Sequence, residues 1–333
     1  MIRKELSAMP AEKVNHVKLL ALRPVLYDEI VPFLEYDVEL SVDDLSVVEM
    51  ISDVAGKQGQ IARVHIMLDT GMGRAGFFYE ESKDCLQKLL TLSNISVVAL
   101  CSHMASAEDP DWSLCSADLQ LFERQRAEFR RLFEAMPVHN VDLTAYMEHV
   151  ANSAVLIRGD KAFQLGMVRV GSISYGLPTC PYSSYAPPFL KCRQIFEWVT
   201  EICLVRQLGV GRSVGYDKTY VTTSKTWLAT LPIGFADGFL RQWSGGKQSV
   251  WISGVECPVV GRVSQNMITV DVTAVDPIPS VGTKVEIAGG NFKVEDVIKA
   301  CNNNCSEVTI MSGVMHSNYA QYRQTLWPKK LSQ

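Results

Sequence analysis

The chain has 333 residues, 47% hydrophobic and 20% charged, enough to bury a large core and to divide into two domains. A formal net charge of -4 without a basic run argues against nucleic acid as a partner, and no stretch approaches the roughly 18 apolar residues of a membrane span. The opening MIRKELSAMPAEKVNH lacks the apolar stretch of a signal peptide, and the cysteines are scattered, Cys301 and Cys305 having no second pair or paired histidines to complete a zinc site; reduced thiols in a cytoplasmic protein are expected.

In chain order, β-rich runs lie near Val17–Leu22, Val38–Val42, Ala62–Leu68, Val97–His103, Met147–Ala151 and Met167–Ser172, with helical segments between them. The clearest helix is predicted from Ser116 to Met136, where Leu119, Phe122, Phe129, Leu132, Phe133 and Met136 form one apolar stripe and Pro137 stops it; these aromatics read as core. Such alternation predicts an α/β fold of parallel strands and crossover helices, of the (β/α)8 TIM-type barrel class. A connector runs from Pro178 to Pro188. From Ile195 onward the β-rich runs WVTEICLVRQL, TWLATLPIGF, SVWISG, CPVVGRVSQNMITVDV and KVEIAG alternate with Gly and Pro turns, predicting a separate all-β domain. The expected division is 1–180 and 181–333. A closed barrel has eight strands and takes typically about 250 residues, so the barrel is expected to be incomplete, with two strand-helix units, on the order of 75 residues, preceding Met1.

Chemistry gathers at the ends of the predicted barrel strands. VHIMLDTGMGRAGF runs a β-branched strand into a turn in which Gly71 and Gly73 relax the backbone and Arg74 presents a planar cationic fork. CSHMASAEDPD places His103 just after a strand, HVANSA sets His149 close to Ser153, and MVRVGSISYGL sets Arg169 beside Gly171 and Ser172. Hydroxyls and backbone N–H groups at the last two strands of a barrel are a frequent phosphate site.

Together with VGYDKTY, LPIGFADGFLR and PVVGRVSQNMITVDV, these motifs resemble the alanine racemase family over nearly the whole chain and in the family's order. The resemblance implies pyridoxal 5'-phosphate as cofactor, a small amino acid as substrate, and an L to D interconversion by two bases, one of them Tyr216. The other base is the lysine that carries the cofactor, in a motif close to Val-Lys-Ala-Asn-Ala-Tyr-Gly that this sequence does not contain; neither Lys13 nor Lys18 lies in such a motif. By the same match Arg169 faces the pyridine nitrogen, and Ser153, Gly171 and Ser172 hold the phosphate. His103 contacts Tyr216, with His149 extending the network. Arg74 holds the substrate carboxylate or the cofactor's phenolic oxygen, Arg241 lies at the substrate entrance, and the active form is a homodimer with shared sites. Departures from the family pattern are Phe235 in place of a tyrosine, the neutral trio Ser264, Gln265 and Asn266 near the expected substrate carboxylate, and Val314 near the place of a phosphate-binding tyrosine. They weaken a reading specific to alanine. A catalytically inactive, truncated racemase-like protein or a binding module remains the alternative.

Overall fold

A computed structural model of the chain describes residues 17–109, 111–135, 146–176 and 194–289. Close contacts gather residues up to Gly171 into one unit, and Ser172–Tyr175 with the strands after Cys192 into another. The predicted connector, Cys301, Cys305, Val314 and Lys13 lie outside the described residues.

In the first unit, β1 (Leu19–Ala21), β2 (Val38–Val42), β3 (Ala62–Met67), β4 (Ile95–Cys101) and β5 (Met147–His149) form one parallel sheet in that order. Helices α1 (Tyr27–Glu35), α2 (Leu45–Lys57), α3 (Tyr79–Leu89) and α4 (Trp112–Ala135) make the crossovers. This is the sequential βα arc of a TIM-type barrel. Helix α2 starts where the Asp44 carboxylate accepts from the backbone N–H of Ser46, and buries Val48, Ile51, Val54 and Ala55 at helical spacing. Helix α4 starts four residues ahead of the predicted Ser116; its stripe residues Leu119, Phe122, Phe129 and Leu132 are buried, while the side chain of Phe133 and Met136 lie outside the described residues. Strands β2, β3 and β4 are buried on both faces, while β1 is only partly buried. Leu40, Val42, Val64 and Ile66 join the core under the helices, so strand alternation turns Glu39, Ser41 and His65 to the opposite face.

The predicted strand at Met167–Ser172 is not formed. The segment runs beside β5 through two backbone bonds, Gly166 N–H to Glu148 O at 2.8 Å and Arg169 N–H to Ala151 O at 2.9 Å, and Ser172 opens a 310 turn ending at Tyr175. The carbonyl of Val150, next on the side that faces this segment, is taken by the Arg169 side chain, which also reaches the His149 carbonyl that serves β4 through Ser102 N–H.

The second unit holds a seven-stranded antiparallel sheet in the order β6-β14-β11-β12-β13-β10-β7 and a two-stranded hairpin, β8 (Ser213–Val214) with β9 (Tyr220–Val221). The sheet strands are β6 (Trp198–Glu201), β7 (Leu204–Leu208), β10 (Thr226–Leu231), β11 (Ser249–Ile252), β12 (Val255–Val260), β13 (Ile268–Asp271) and β14 (Lys284–Ala288), one or two in each predicted β-rich run. Their apolar residues close on a core around Trp243, whose ring meets Phe239 edge-on with centroids 4.9 Å apart. Among the described residues no helix is long and apolar enough to cross a membrane, and no cluster of metal-ligating side chains occurs.

Candidate active site

The first unit presents its polar groups at the carboxyl ends of β3, β4 and β5. After β3 the chain leaves the sheet at Leu68 and returns at Phe77, closed by Phe77 N–H to Met67 O at 2.8 Å and Asp69 N–H to Phe77 O at 3.0 Å. That closure needs Gly76: its φ is +125°, and a Cβ there would lie 2.5 Å from the Asp69 nitrogen. The Asp69 carboxylate accepts from Gly71 N–H, and the buried Thr70 hydroxyl pairs with that of Ser102 at 2.7 Å. Arg74, in this loop, is exposed.

Behind the loop runs a line of buried hydrogen bonds. Arg169 Nη1 lies 2.5 Å from His149 Nδ1, His149 Nε2 lies 2.9 Å from His65 Nδ1, and His65 Nε2 lies 2.8 Å from Glu39 Oε2. Arg63 donates to the other Glu39 oxygen at 3.0 Å, and Lys18 pairs with that oxygen at 3.6 Å. Burial pushes the Glu39 carboxyl up, but hydrogen bonds from His65 and Arg63 outweigh it and hold the group down to about 2. Burial, the charge on Arg169 and the neighbouring His65 ring hold His149 down to about 2, so its imidazole is neutral. Arg169 spends its terminal nitrogens on the carbonyls of His149, Ser102 and Val150 as well. Its Nε–H is buried without a partner among the described residues.

His103 follows β4 and is half-buried; burial first, then the charges of Arg169 and Arg74, lower its pKa to about 4. Ser153 is the first residue of α5 (Ser153–Arg158), which Asn152 caps through its side chain. Its Oγ accepts from Gly171 N–H at 2.8 Å. The Gly171 N–H is therefore engaged, and the Ser153 hydroxyl hydrogen is the group left to donate. Ser172 is buried at the start of its 310 turn.

In the second unit Tyr216 stands in the loop of the β8–β9 hairpin, 63% exposed. The loop is seated on the chain after β12: Asp217 pairs with Arg262 at 3.1 Å, and a Cβ on Gly215 would lie 2.8 Å from the Arg262 nitrogen. Phe235 and Ala236 donate backbone bonds to the carbonyls of Ser264 and Gln265, both at 3.0 Å. This contact is possible only because Gly234 has no Cβ, which would fall 2.3 Å from both carbonyl oxygens. Gln265 and Asn266 are thus presented, exposed, on a loop clamped to the Phe235 turn, and Arg241 is exposed on the short 310 turn that follows.

The alanine racemase N-terminal domain family matches residues 4–179, and the alanine racemase C-terminal domain family matches residues 195–318. The chain belongs to the alanine racemase family. It is 33% identical over 278 residues to the alanine racemase of Methylacidiphilum infernorum, a match that covers 83% of this chain and 65% of that relative. With the alanine racemase of Halothermothrix orenii it shares 32% over 327 residues, covering 96% and 82%. Among solved structures, the alanine racemase of Bacillus anthracis with bound L-Ala-P superposes with a TM-score of 0.78 at 25% identity, covering 91% of this chain and 75% of that one. These likenesses place the chain in a family of amino-acid isomerases built from a barrel and a β domain. Sequence reasoning named Arg169 and His149, which lie in contact, but passed over Glu39 and His65. A signal for them exists: each is a titratable residue between apolar neighbours in a parallel strand, Glu39 between Val38 and Leu40 and His65 between Val64 and Ile66.

Proposed function

We propose that the chain serves the pyridoxal-phosphate-dependent interconversion of the L and D forms of alanine or another small amino acid. The observation that carries this reading is the buried Nε–H of Arg169, which has no partner among the described residues while all its other contacts are made by neutral acceptors. A donor that cannot be deprotonated and lacks an acceptor fits the nitrogen of a pyridine ring. Ser153 and Gly171, with Ser172 beside them, fit the phosphate, through the Ser153 hydroxyl hydrogen left over by the Gly171 contact. Pyridoxal phosphate, when bound, supplies an electron sink that acidifies the Cα–H of the amino acid it carries.

The residues of the chain then divide the work. Tyr216 Oη gives or takes the α-proton on one face of the substrate. A phenol needs cationic or hydrogen-bonding neighbours to act as a base, and His103 with Arg169 and His149 behind it forms that set. Arg74 holds the carboxylate of the substrate or the phenolic oxygen of the cofactor by its fork. Gln265, Asn266 and Arg241 border the entrance, where neutral amides in place of a carboxylate broaden substrate choice. The exposure of Tyr216, Phe235 and Met267 supports a homodimer in which each Tyr216 serves the partner's site. The second base is a lysine in a motif that these residues do not match, so little or no racemase activity is expected of the 333-residue chain by itself.

The test is a titration of the chain with pyridoxal phosphate, followed by borohydride reduction and mass spectrometry. Saturable binding that weakens about tenfold, about 1.4 kcal/mol, in Arg169→Glu and in Ser153→Ala supports the reading, and no binding overturns it. One lysine labelled stoichiometrically would show that the chain carries its own anchor.

A further inference from the structure

The line from Glu39 to Arg169 is fixed in polarity by its two ends. An ionised carboxylate only accepts, so His65 carries its proton on Nε2, 2.8 Å from Glu39 Oε2. A guanidinium only donates, so His149 is bare on Nδ1, 2.5 Å from Arg169 Nη1, and carries its proton on Nε2. The two requirements meet without conflict at the 2.9 Å contact between the rings, where His149 Nε2–H donates to the lone pair of His65 Nδ1. A second proton on either ring would put two donors face to face in a site from which both histidines are almost fully withdrawn from solvent.

We infer that Glu39 and His65 are positioning residues of the active site, which fix the tautomers of both imidazoles so that the His149 lone pair holds Arg169 Nη1 and leaves the Arg169 Nε–H free for the cofactor ring. The role toward the cofactor rests on the reading of Arg169 given above; the proton pattern does not. Neither residue touches the reacting atoms. Arg63 makes the device specific to a carboxylate. Its Nε–H demands an oxygen from residue 39, so in Glu39→Gln the amide oxygen turns to Arg63 and the NH2 group turns to His65. His65 must then accept on Nε2 and donate from Nδ1, His149 must accept on Nε2, and its displaced proton on Nδ1 meets the Arg169 donor.

The experiment is nitrogen-15 NMR of the histidine side chains, on the chain without added cofactor, together with pyridoxal phosphate titration. The wild type is expected to show both rings protonated on Nε2 and bare on Nδ1. Glu39→Gln is expected to swap the pyrrole-type and pyridine-type nitrogens of both rings and to weaken cofactor binding about tenfold. Lys18→Met, which removes only the half-exposed ammonium from the same carboxylate, is expected to leave both tautomers as they are. A wild-type His149 that is charged or protonated on Nδ1 would overturn the inference, a result that stands even where Glu39→Gln fails to fold. Swapped tautomers with unaltered cofactor binding would also overturn it. A wild-type chain that shows the stated tautomers and binds no pyridoxal phosphate would overturn the functional reading and leave the proton pattern standing.

Discussion

Acid should destabilise the first unit through His149, and the size of the effect follows from its surroundings. The ring is fully buried, 2.5 Å from a guanidinium nitrogen on one side and 2.9 Å from His65 on the other. Burial above all, then Arg169 and His65, hold its pKa down to about 2 from an ordinary 6.5. Between those values the unfolded chain binds a proton that the folded chain refuses, so the stability of the folded state is complete above the unfolded pKa and falls as pH drops below it. The loss is about 1.4 kcal/mol per pH unit, or about 2 kcal/mol between pH 6.5 and 5. His149→Gln keeps a polar side chain of comparable reach and takes up no proton in this range. Urea unfolding of both proteins from pH 8 to 5, followed by circular dichroism, should therefore show a gap between them that is constant above about pH 7 and shrinks by about 2 kcal/mol by pH 5. Titrating groups away from position 149 are present in both proteins and largely cancel in the difference. A gap that does not change with pH would refute the argument.

Gly234→Ala would place a Cβ 2.3 Å from two backbone carbonyl oxygens, and a loss of more than about 2 kcal/mol in the second unit is expected in urea unfolding; an unchanged midpoint would show that the turn can shift away from Ser264 and Gln265. In Gly76→Ala the contact with the Asp69 nitrogen opens the loop, and hydrogen exchange should find the amides of Asp69 and Phe77 less protected while those of β2 keep their protection. Tyr216→Phe should leave the melting transition within about 0.5 kcal/mol, because the side chain is exposed, and in a catalytically competent assembly should lower turnover by about 10²- to 10⁴-fold; a large fall in stability would assign the hydroxyl to structure.

The sequence carried the architecture well and the site only in part, for different physical reasons. Strands such as ARVHIM and SVWI show because buried ladders select β-branched residues, and α4 shows because one face repeats at helical spacing. MVRVGS looked equally strand-like, yet a carbonyl that its pairing required was lost to a side chain from within it: Arg169 reaches back to Val150 O, just past β5. Local alternation holds no record of that competition. The same limit hid the partnership of Glu39 and His65, which lie in runs already read as strands. Their contact depends on the β2–β3 register, Leu40 against Val64 and Ser41 against His65, and register is a property of the assembled sheet. Gly71 and Gly73 were legible as turn residues, whereas Gly76 and Gly234 are demanded by backbone that arrives from elsewhere in the chain.

Arg169 joins these observations into one electrostatic argument. Among the described residues it makes no ion pair; its acceptors are three carbonyls and one neutral imidazole. The carboxylate that ends the line, Glu39, stands beyond the two imidazole rings and is already matched by Arg63 and Lys18. Burial accordingly lowers the pKa of Arg169, since no negative charge nearby compensates its desolvation. A carboxylate in the place of His149 would relieve that cost, but it would also cancel the charge felt at the Nε–H. The neutral ring holds the guanidinium in position and leaves its charge unspent, so an anionic group entering the site gains the compensation that the protein withholds.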